Sequence, residues 1–276
     1  MTATASVPTA ILPAFTEALP FLQEQDFSAR QYRGKRENQE DYYAFADAAE
    51  SGEHSLQRLL LVVGDGLGAH AGGSVASYIA VNAFVRAFHE HPGSQSFRLR
   101  TALDTANETI GMITARMPSI APPMGTTMLS VLVSRERLEW ISVGDSPLFL
   151  YRAGQLHRLN ADHSLTPIIE ERVKQGLLTP EEAAVHPERH TLQSAVLGYP
   201  MALIDFPPEP MQMKSGDIVI AASDGIFTLE HKALEELLSF GKHTTADKIA
   251  DAILFAIRRI NFDRQDNATV GVVKIS

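Results

Sequence analysis

The chain has no cysteine anywhere in its 276 residues. Disulfide staples, thiolate metal sites and a cysteine nucleophile are therefore excluded, and the composition fits a reducing cytoplasm. Basic residues are in deficit: 24 Lys and Arg face 33 Asp and Glu, a formal net charge of −9. A nucleic-acid binder needs a basic surface to meet the phosphate backbone, so that class is set aside. No apolar run is long enough to span a bilayer. Met1–Gln25 has no basic n-region, its first charge is Glu17, and Pro8, Pro13 and Pro20 interrupt its apolar stretches. It does not read as a signal peptide. We take residues 1–26 as an N-terminal extension able to pack as a short helix, and expect a cytoplasmic protein. Neither Gly-x-x-x-x-Gly-Lys-Ser/Thr nor Gly-x-Gly-x-x-Gly occurs, which removes the common nucleotide grips.

What is present is an ordinary globular balance, 45% apolar and 21% charged, on a chain long enough for one large core. Residues 27–276 are expected to form one domain. The continuous apolar run Leu59–Val63 reads as a buried strand, and Phe27–Arg33, Asp41–Phe45, Asp217–Ala222 and Thr269–Ile275 also read as strands. The middle is β-rich, with Thr127–Val133, Leu138–Val143, Leu148–Tyr151 and Leu156–Leu159 separated by turn residues. Apolar residues at helical spacing mark Ser74–His89, Leu99–Met117, Lys232–Phe240 and Ala246–Ile260, the last with Thr245 as N-cap. Leu165–Pro187 is helix-leaning but too hydrophilic for core. Strand-rich segments flanked by helices, without regular βαβ alternation, predict an α+β layered sandwich.

A recurrence carries the chemistry. The run Leu59–Gly64 leads into Asp65-Gly66, Ile218–Ser223 leads into Asp224-Gly225, and Trp140–Gly144 leads into Asp145-Ser146. Asp266-Asn267 stands just before the closing strand. A single Asp-Gly after a strand is ordinarily a turn. Four carboxylates at strand ends are different, because strand ends are rigid places to mount ligands. Brought to one rim, they repel unless a cation neutralises them. An all-oxygen donor set favours hard ions, Mg²⁺ or Mn²⁺, and Gly66 lets a backbone carbonyl approach too. A second cluster, Arg36-Glu37-Asn38-Gln39-Glu40-Asp41, adds Glu40 and Asp41 to the acidic set. Alone it reads as a solvated loop; beside a dimetal carboxylate site, the fork of Arg36, with Arg33 and Lys35 nearby, suits a phosphate group.

In order and separation these motifs resemble the type 2C metal-dependent protein serine/threonine phosphatases in their bacterial form. The matching stretches are Arg36–Asp41, Val63–Ser77, Met124–Thr127, Val143–Ser146, Asp162–Ser164, Leu197-Gly198, Ala222–Gly225 and Asp266–Val270. The resemblance spans about Arg33 to Val273. It implies a four-layer αββα sandwich with two central antiparallel sheets and a dimetal site at one end. It places two Mn²⁺ or Mg²⁺ ions on Asp65, which bridges them, with Glu40 and the Gly66 carbonyl on one side and Asp224 and Asp266 on the other. Asp41 would hold metal-bound water, with Asp145 also behind the ligands. Arg36 would bind phosphate, and Leu165–Tyr199 would be a mobile flap shaping selectivity. Two departures stand out. Ala121-Pro122-Pro123 replaces the aspartate that helps hold a third metal, which puts that site in doubt. Pro147 replaces the arginine after the Val-Gly-Asp-Ser motif, a change of structural contact rather than of chemistry.

The resemblance implies hydrolysis of phosphoserine and phosphothreonine by direct attack of a metal-activated water, without a covalent phosphoenzyme. His70 is the candidate general acid for the leaving alkoxide, against a purely packing or capping role in its glycine-rich loop. His163 reads as a buried structural histidine, and Thr126 and Thr127 as buttresses. The partners implied are phosphorylated proteins opposing a serine/threonine kinase, and the protein is expected to be a monomer. Two alternatives use the same residues: a catalytically weak pseudophosphatase that only binds phosphoproteins, which the intact Glu40, Asp65, Asp224 and Asp266 argue against, and a hydrolase of small phosphoesters.

Overall fold

The computed structural model describes residues 22, 25–48, 58–68, 72–116, 124–241 and 243–275. The expected helix within residues 1–26, His70 and Ala121–Pro123 lie outside the described residues.

Two five-stranded antiparallel sheets stack face to face. One has the order β1 (Phe27–Tyr32), β12 (Ala268–Lys274), β11 (Ile218–Ala222), β8 (Leu148–Arg152), β9 (Gln155–Arg158). The other has the order β10 (Met211–Gln212), β7 (Arg137–Val143), β6 (Met128–Val133), β3 (Leu59–Gly64), β2 (Tyr42–Asp47). A two-stranded ribbon of β4 (Gly66–Leu67) and β5 (Gly125–Thr126) stands apart. Helices α1 (Gly72–Glu90) and α2 (Gln95–Arg116) cover the second sheet, while α5 (His231–Gly241) and α6 (Ala246–Ile260) cover the first. This is the four-layer αββα sandwich.

The continuous apolar runs follow from that layering, since each central strand is buried on both faces. Along β3, Leu60 and Val62 face the helices α1 and α2, while Leu59, Leu61 and Val63 face the other sheet. Along β11, Val219 and Ala221 enter the inter-sheet core, and Ile218, Ile220 and Ala222 meet α5 and α6. Phe84 and Phe88 of α1 are fully buried against the second sheet. Thr245 occupies the N-cap of α6 with extended dihedrals, but its side chain makes no capping bond.

Most strand and helix expectations agree with the structure to within two or three residues. The two-residue strands β4, β5 and β10 were not expected from the pattern. Between β9 and β10 lie α3 (Thr166–Lys174) and α4 (Pro180–Ala184), the latter closed by a Thr179–Glu182 capping box. Only Ile169 and Ala183 of these two helices are buried, which agrees with the hydrophilic reading of this segment.

Candidate active site

Strand register brings the acidic motifs to one end of the sandwich. Tyr42 pairs with Gly64, so Asp41 and Asp65 adjoin. Ala222 pairs with Val270, and Tyr32 with Ala268, which sets Asp224, Asp266 and the turn 33–40 side by side. Val143 pairs with Met128, carrying Asp145 to the same end.

Hydrogen bonds between distant segments fix the backbone and side chains around the acidic residues. The Asp65 backbone N–H donates to Thr127 Oγ1 at 3.0 Å, and its carbonyl accepts from Thr127 N at 2.8 Å and Thr126 Oγ1 at 2.9 Å. Thr126 and Thr127 are thus buttresses of the first aspartate. Gly66 is boxed in by backbone: a Cβ there would lie 2.2 Å from the Gly73 carbonyl oxygen. That close approach is a packing reason for glycine, beside any carbonyl ligation. Gly34, at φ +66°, lets the early turn lie against the Asp266 carbonyl, 2.3 Å from where a Cβ would sit.

Asn267 fastens the early turn. Its Oδ1 accepts from Glu40 N at 2.7 Å, and its Nδ2 donates to Arg33 O at 2.7 Å and Asn38 O at 3.0 Å. Asp41 is buried, with Oδ2 accepting from Ser223 Oγ and Thr269 Oγ1, both at 2.7 Å. Sequence reasoning assigned no role to Asn267, Ser223 or Thr269. The only signal was their adjacency to aspartates in Ser-Asp-Gly and Asp-Asn-Ala-Thr.

Three cations of the turn separate by direction. Lys35 Nζ donates to Asn261 Oδ1 at 2.9 Å, and Arg33 Nη1 to Glu37 O at 3.4 Å. Only Arg36 turns onto the carboxylates, with Nη2 2.5 Å from Asp266 Oδ2. His163 is buried: its Nδ1 accepts from Gly144 N at 3.2 Å, and burial lowers its pKa against the opposing charges of Asp205 and Asp162. It is a structural histidine.

The electrostatics are those of crowded anions. Burial, opposed by the Ser223 and Thr269 hydroxyls and reinforced by Asp224 and Asp266, pushes Asp41 up to about 7. Burial and then Asp224 raise Asp145 to about 7. Asp224 rises to about 6, through burial and then Asp266, and shares a hydrogen bond with Asp65. Asp65 itself lies well above the usual carboxylate range, through burial and then the charges of Asp41 and Asp224. Glu40 is raised by burial. Two carboxyl groups bond to each other only when a proton stands between them, the role a cation takes at higher pH.

These residues fit a divalent cation by donor chemistry, all being oxygen. Asp41 Oδ1 and both amide heteroatoms of Gln39 are buried without a protein partner, as expected beside a hydrated ion. Among the described residues, no three His, Asp or Glu side chains close on one point as a finished ligand cluster. The carboxylates instead lean on Arg36 and on each other.

A stability prediction follows from the signs. In the folded, metal-free protein Asp41, Asp145 and Asp224 keep protons that an unfolded chain releases near pH 4. Their contribution is therefore fully present below that pH and is lost as pH rises through about 6 to 7. Calorimetry in chelator is expected to give a lower melting temperature at pH 8 than at pH 5, with Mn²⁺ shrinking the difference. A chelated protein more stable at pH 8 would contradict this electrostatic account.

Residues 35–247 match the protein phosphatase 2C family. The chain belongs to that family. Among phosphatase 2C relatives, it is 30% identical over 204 residues to the serine/threonine protein phosphatase PstP of Mycobacterium tuberculosis, covering 72% of this chain but 36% of PstP. The chain thus spans about a third of the length of that relative. It is 26% identical to the protein phosphatase PhpP of Streptococcus pneumoniae over 88% of this chain and 94% of PhpP. The phosphatase 2C fold superposes on the catalytic domain of PstP in complex with two manganese ions, with TM-score 0.70, 25% identity, and 91% and 98% of the two chains covered.

Proposed function

We propose that this chain is a metal-dependent protein serine/threonine phosphatase. The observation that carries the reading is a crowded carboxylate set, with Asp41 and Asp145 buried and Asp65, Asp224 and Asp266 half-buried, and one guanidinium, Arg36, turned onto it. Family membership and the two-manganese PstP complex support the same reading. Glu40, Asp65, the Gly66 carbonyl, Asp224 and Asp266 would hold two Mn²⁺ or Mg²⁺ ions. Such ions supply an acidified water as nucleophile and neutralise charge on the phosphoryl oxygens.

The protein's own residues do the rest. Thr126 and Thr127 fix Asp65, Asn267 fixes the turn bearing Arg36 and Glu40, and Ser223 and Thr269 orient Asp41 to accept a proton or hold water. Arg36 leaves Asp266 to form a two-pronged contact with the substrate phosphate. His70 is the candidate to protonate the leaving alkoxide. Residues 27–276 form the phosphatase domain after the extension 1–26, and residues 165–199, with α3 and α4 on the surface, are its flap. Its partners are phosphorylated proteins, set against a serine/threonine kinase, and it works as a cytoplasmic monomer. No helix among the described residues is long and apolar enough to cross a membrane.

The test compares phosphate release from a phosphothreonine peptide and from a nucleoside monophosphate, each with Mn²⁺. We expect kcat/KM for the peptide to be higher by at least about tenfold, roughly 1.4 kcal/mol of differential binding. Faster turnover of the nucleotide would replace this reading with a small-phosphoester hydrolase. Binding of the phosphopeptide without turnover of either would make the protein a phosphoprotein-binding module.

A further inference from the structure

We propose that a cleft beside the carboxylate rim receives a basic side chain of the phosphoprotein substrate, close to the phosphorylated residue. This rests on the phosphatase reading above and names the substrate class it takes. The cleft has a volume of about 550 Å³ and is continuous with the site, since Asp145 and Asp224 line it. Its far wall is the surface segment carrying α3.

Local geometry puts an aromatic ring there. Asp224–Thr228 is a 3-10 turn, in which side chains three residues apart eclipse one another. Phe227 therefore stands one turn beyond Asp224, and it is 47% exposed although it lines the cleft. Phe97, Phe240, Phe255 and Phe262 are exposed as well, but of these phenylalanines Phe227 alone lines the cleft. The Arg158 guanidinium already lies over this ring, 5.6 Å from its centre, so the ring receives a cation, and its exposed remainder can meet an aliphatic stem.

The charges of the lining select the occupant. Outside the carboxylate set, Arg158 is matched by Asp162 at 3.1 Å and lies 5.6 Å from the centre of the Phe227 ring. Glu170 and Glu230 are exposed and form no ion pair among the described residues. Against them stands a single further guanidinium, Arg189, which donates to the Ala184 carbonyl. Two carboxylates facing one arginine leave the cleft acidic, complementary to lysine or arginine. The apolar stem of such a side chain would lie on Phe227 and its head between Glu170 and Glu230.

The experiment measures kcat/KM in Mn²⁺ for phosphothreonine peptides differing only in one flanking residue, lysine or glutamate, scanned along both flanks. p-Nitrophenyl phosphate, which has no flanking residue, is the control. Wild type is expected to prefer the lysine peptide by about fivefold at one or more positions, less at high salt. The double variant E170Q/E230Q and, separately, F227L are expected to lose most of that preference with p-nitrophenyl phosphate turnover unchanged. Equal rates on all peptides, or a preference that survives both variants, would overturn the proposal. A preference for glutamate would overturn it too and assign the cleft to Arg189. Turnover of p-nitrophenyl phosphate but of no peptide would sink the phosphatase reading and this inference together, whereas peptide turnover without preference sinks this inference alone.

Discussion

Phosphate release from a phosphothreonine peptide is expected to vanish in excess chelator and to return with Mn²⁺ or Mg²⁺. The chain has no cysteine to act as a metal-independent nucleophile, and the groups gathered at the site are carboxylates that oppose a phosphate dianion unless cations intervene. The same argument makes Asp65→Asn and Asp224→Asn the most damaging single changes, with kcat reduced by about a thousandfold or more. Both variants should nevertheless fold. Asp65 and Asp224 are bonded to each other across a crowd that includes Asp41, Asp145 and Asp266, so removing one charge relieves repulsion. In chelator at pH 8, each variant is expected to melt no lower than wild type, and Mn²⁺ is expected to stabilise the variants less. Activity close to wild type in either variant would show that the ions are held elsewhere. A variant that is inactive and also unfolded in chelator would show that these aspartates hold the fold together, contrary to the repulsion argument.

Legibility from sequence divided along a physical line. β3 and β11 were readable because both faces of each are buried, so the apolar run has no polar interruption. β4, β5 and β10 were not, because two residues are too few to show any period. Asp65, Asp145 and Asp224 could be found because each follows an apolar strand, and Asp266 because it stands just before one. Their supports could not: Ser223 and Thr269 reach Asp41 across 182 and 228 positions, and Asn267 reaches Glu40 across 227. Nothing in a linear pattern distinguishes these side chains from ordinary turn residues. By residue type the three cations of the early turn, Arg33, Lys35 and Arg36, are alike; the motif resemblance alone singles out Arg36, and the structure engages the three separately, with the Glu37 carbonyl, Asn261 and Asp266. Phe227 was invisible for another reason, since its exposure depends on a 3-10 turn that the Asp-Gly pair does not announce.

Arg36→Ala is expected to lower kcat/KM for a phosphothreonine peptide by about 10- to 150-fold while leaving both ions bound. A charge-assisted hydrogen-bonded contact to phosphate is worth roughly 1.5–3 kcal/mol, which corresponds to that range. The Arg36 side chain is 57% exposed, so solvent screening places the loss toward the lower end. Its present partner decides the second half of the expectation. Arg36 is 2.5 Å from Asp266, a carboxylate that a cation also needs, so the alanine variant removes a competitor and should not weaken metal binding. Calorimetric titration with Mn²⁺ checks this separately from activity. If the phosphate contact is equal in ground and transition states, the loss falls on KM; if it tightens during the reaction, kcat falls as well. Lysine at the position should restore activity only in part, because a point charge lacks the two-pronged geometry of a guanidinium. An alanine variant with unchanged kcat/KM would remove Arg36 from phosphate recognition. Arg33 and Lys35 would be poor substitutes, being already engaged by the Glu37 carbonyl and Asn261, and the phosphate would then have to be held by the ions and backbone alone.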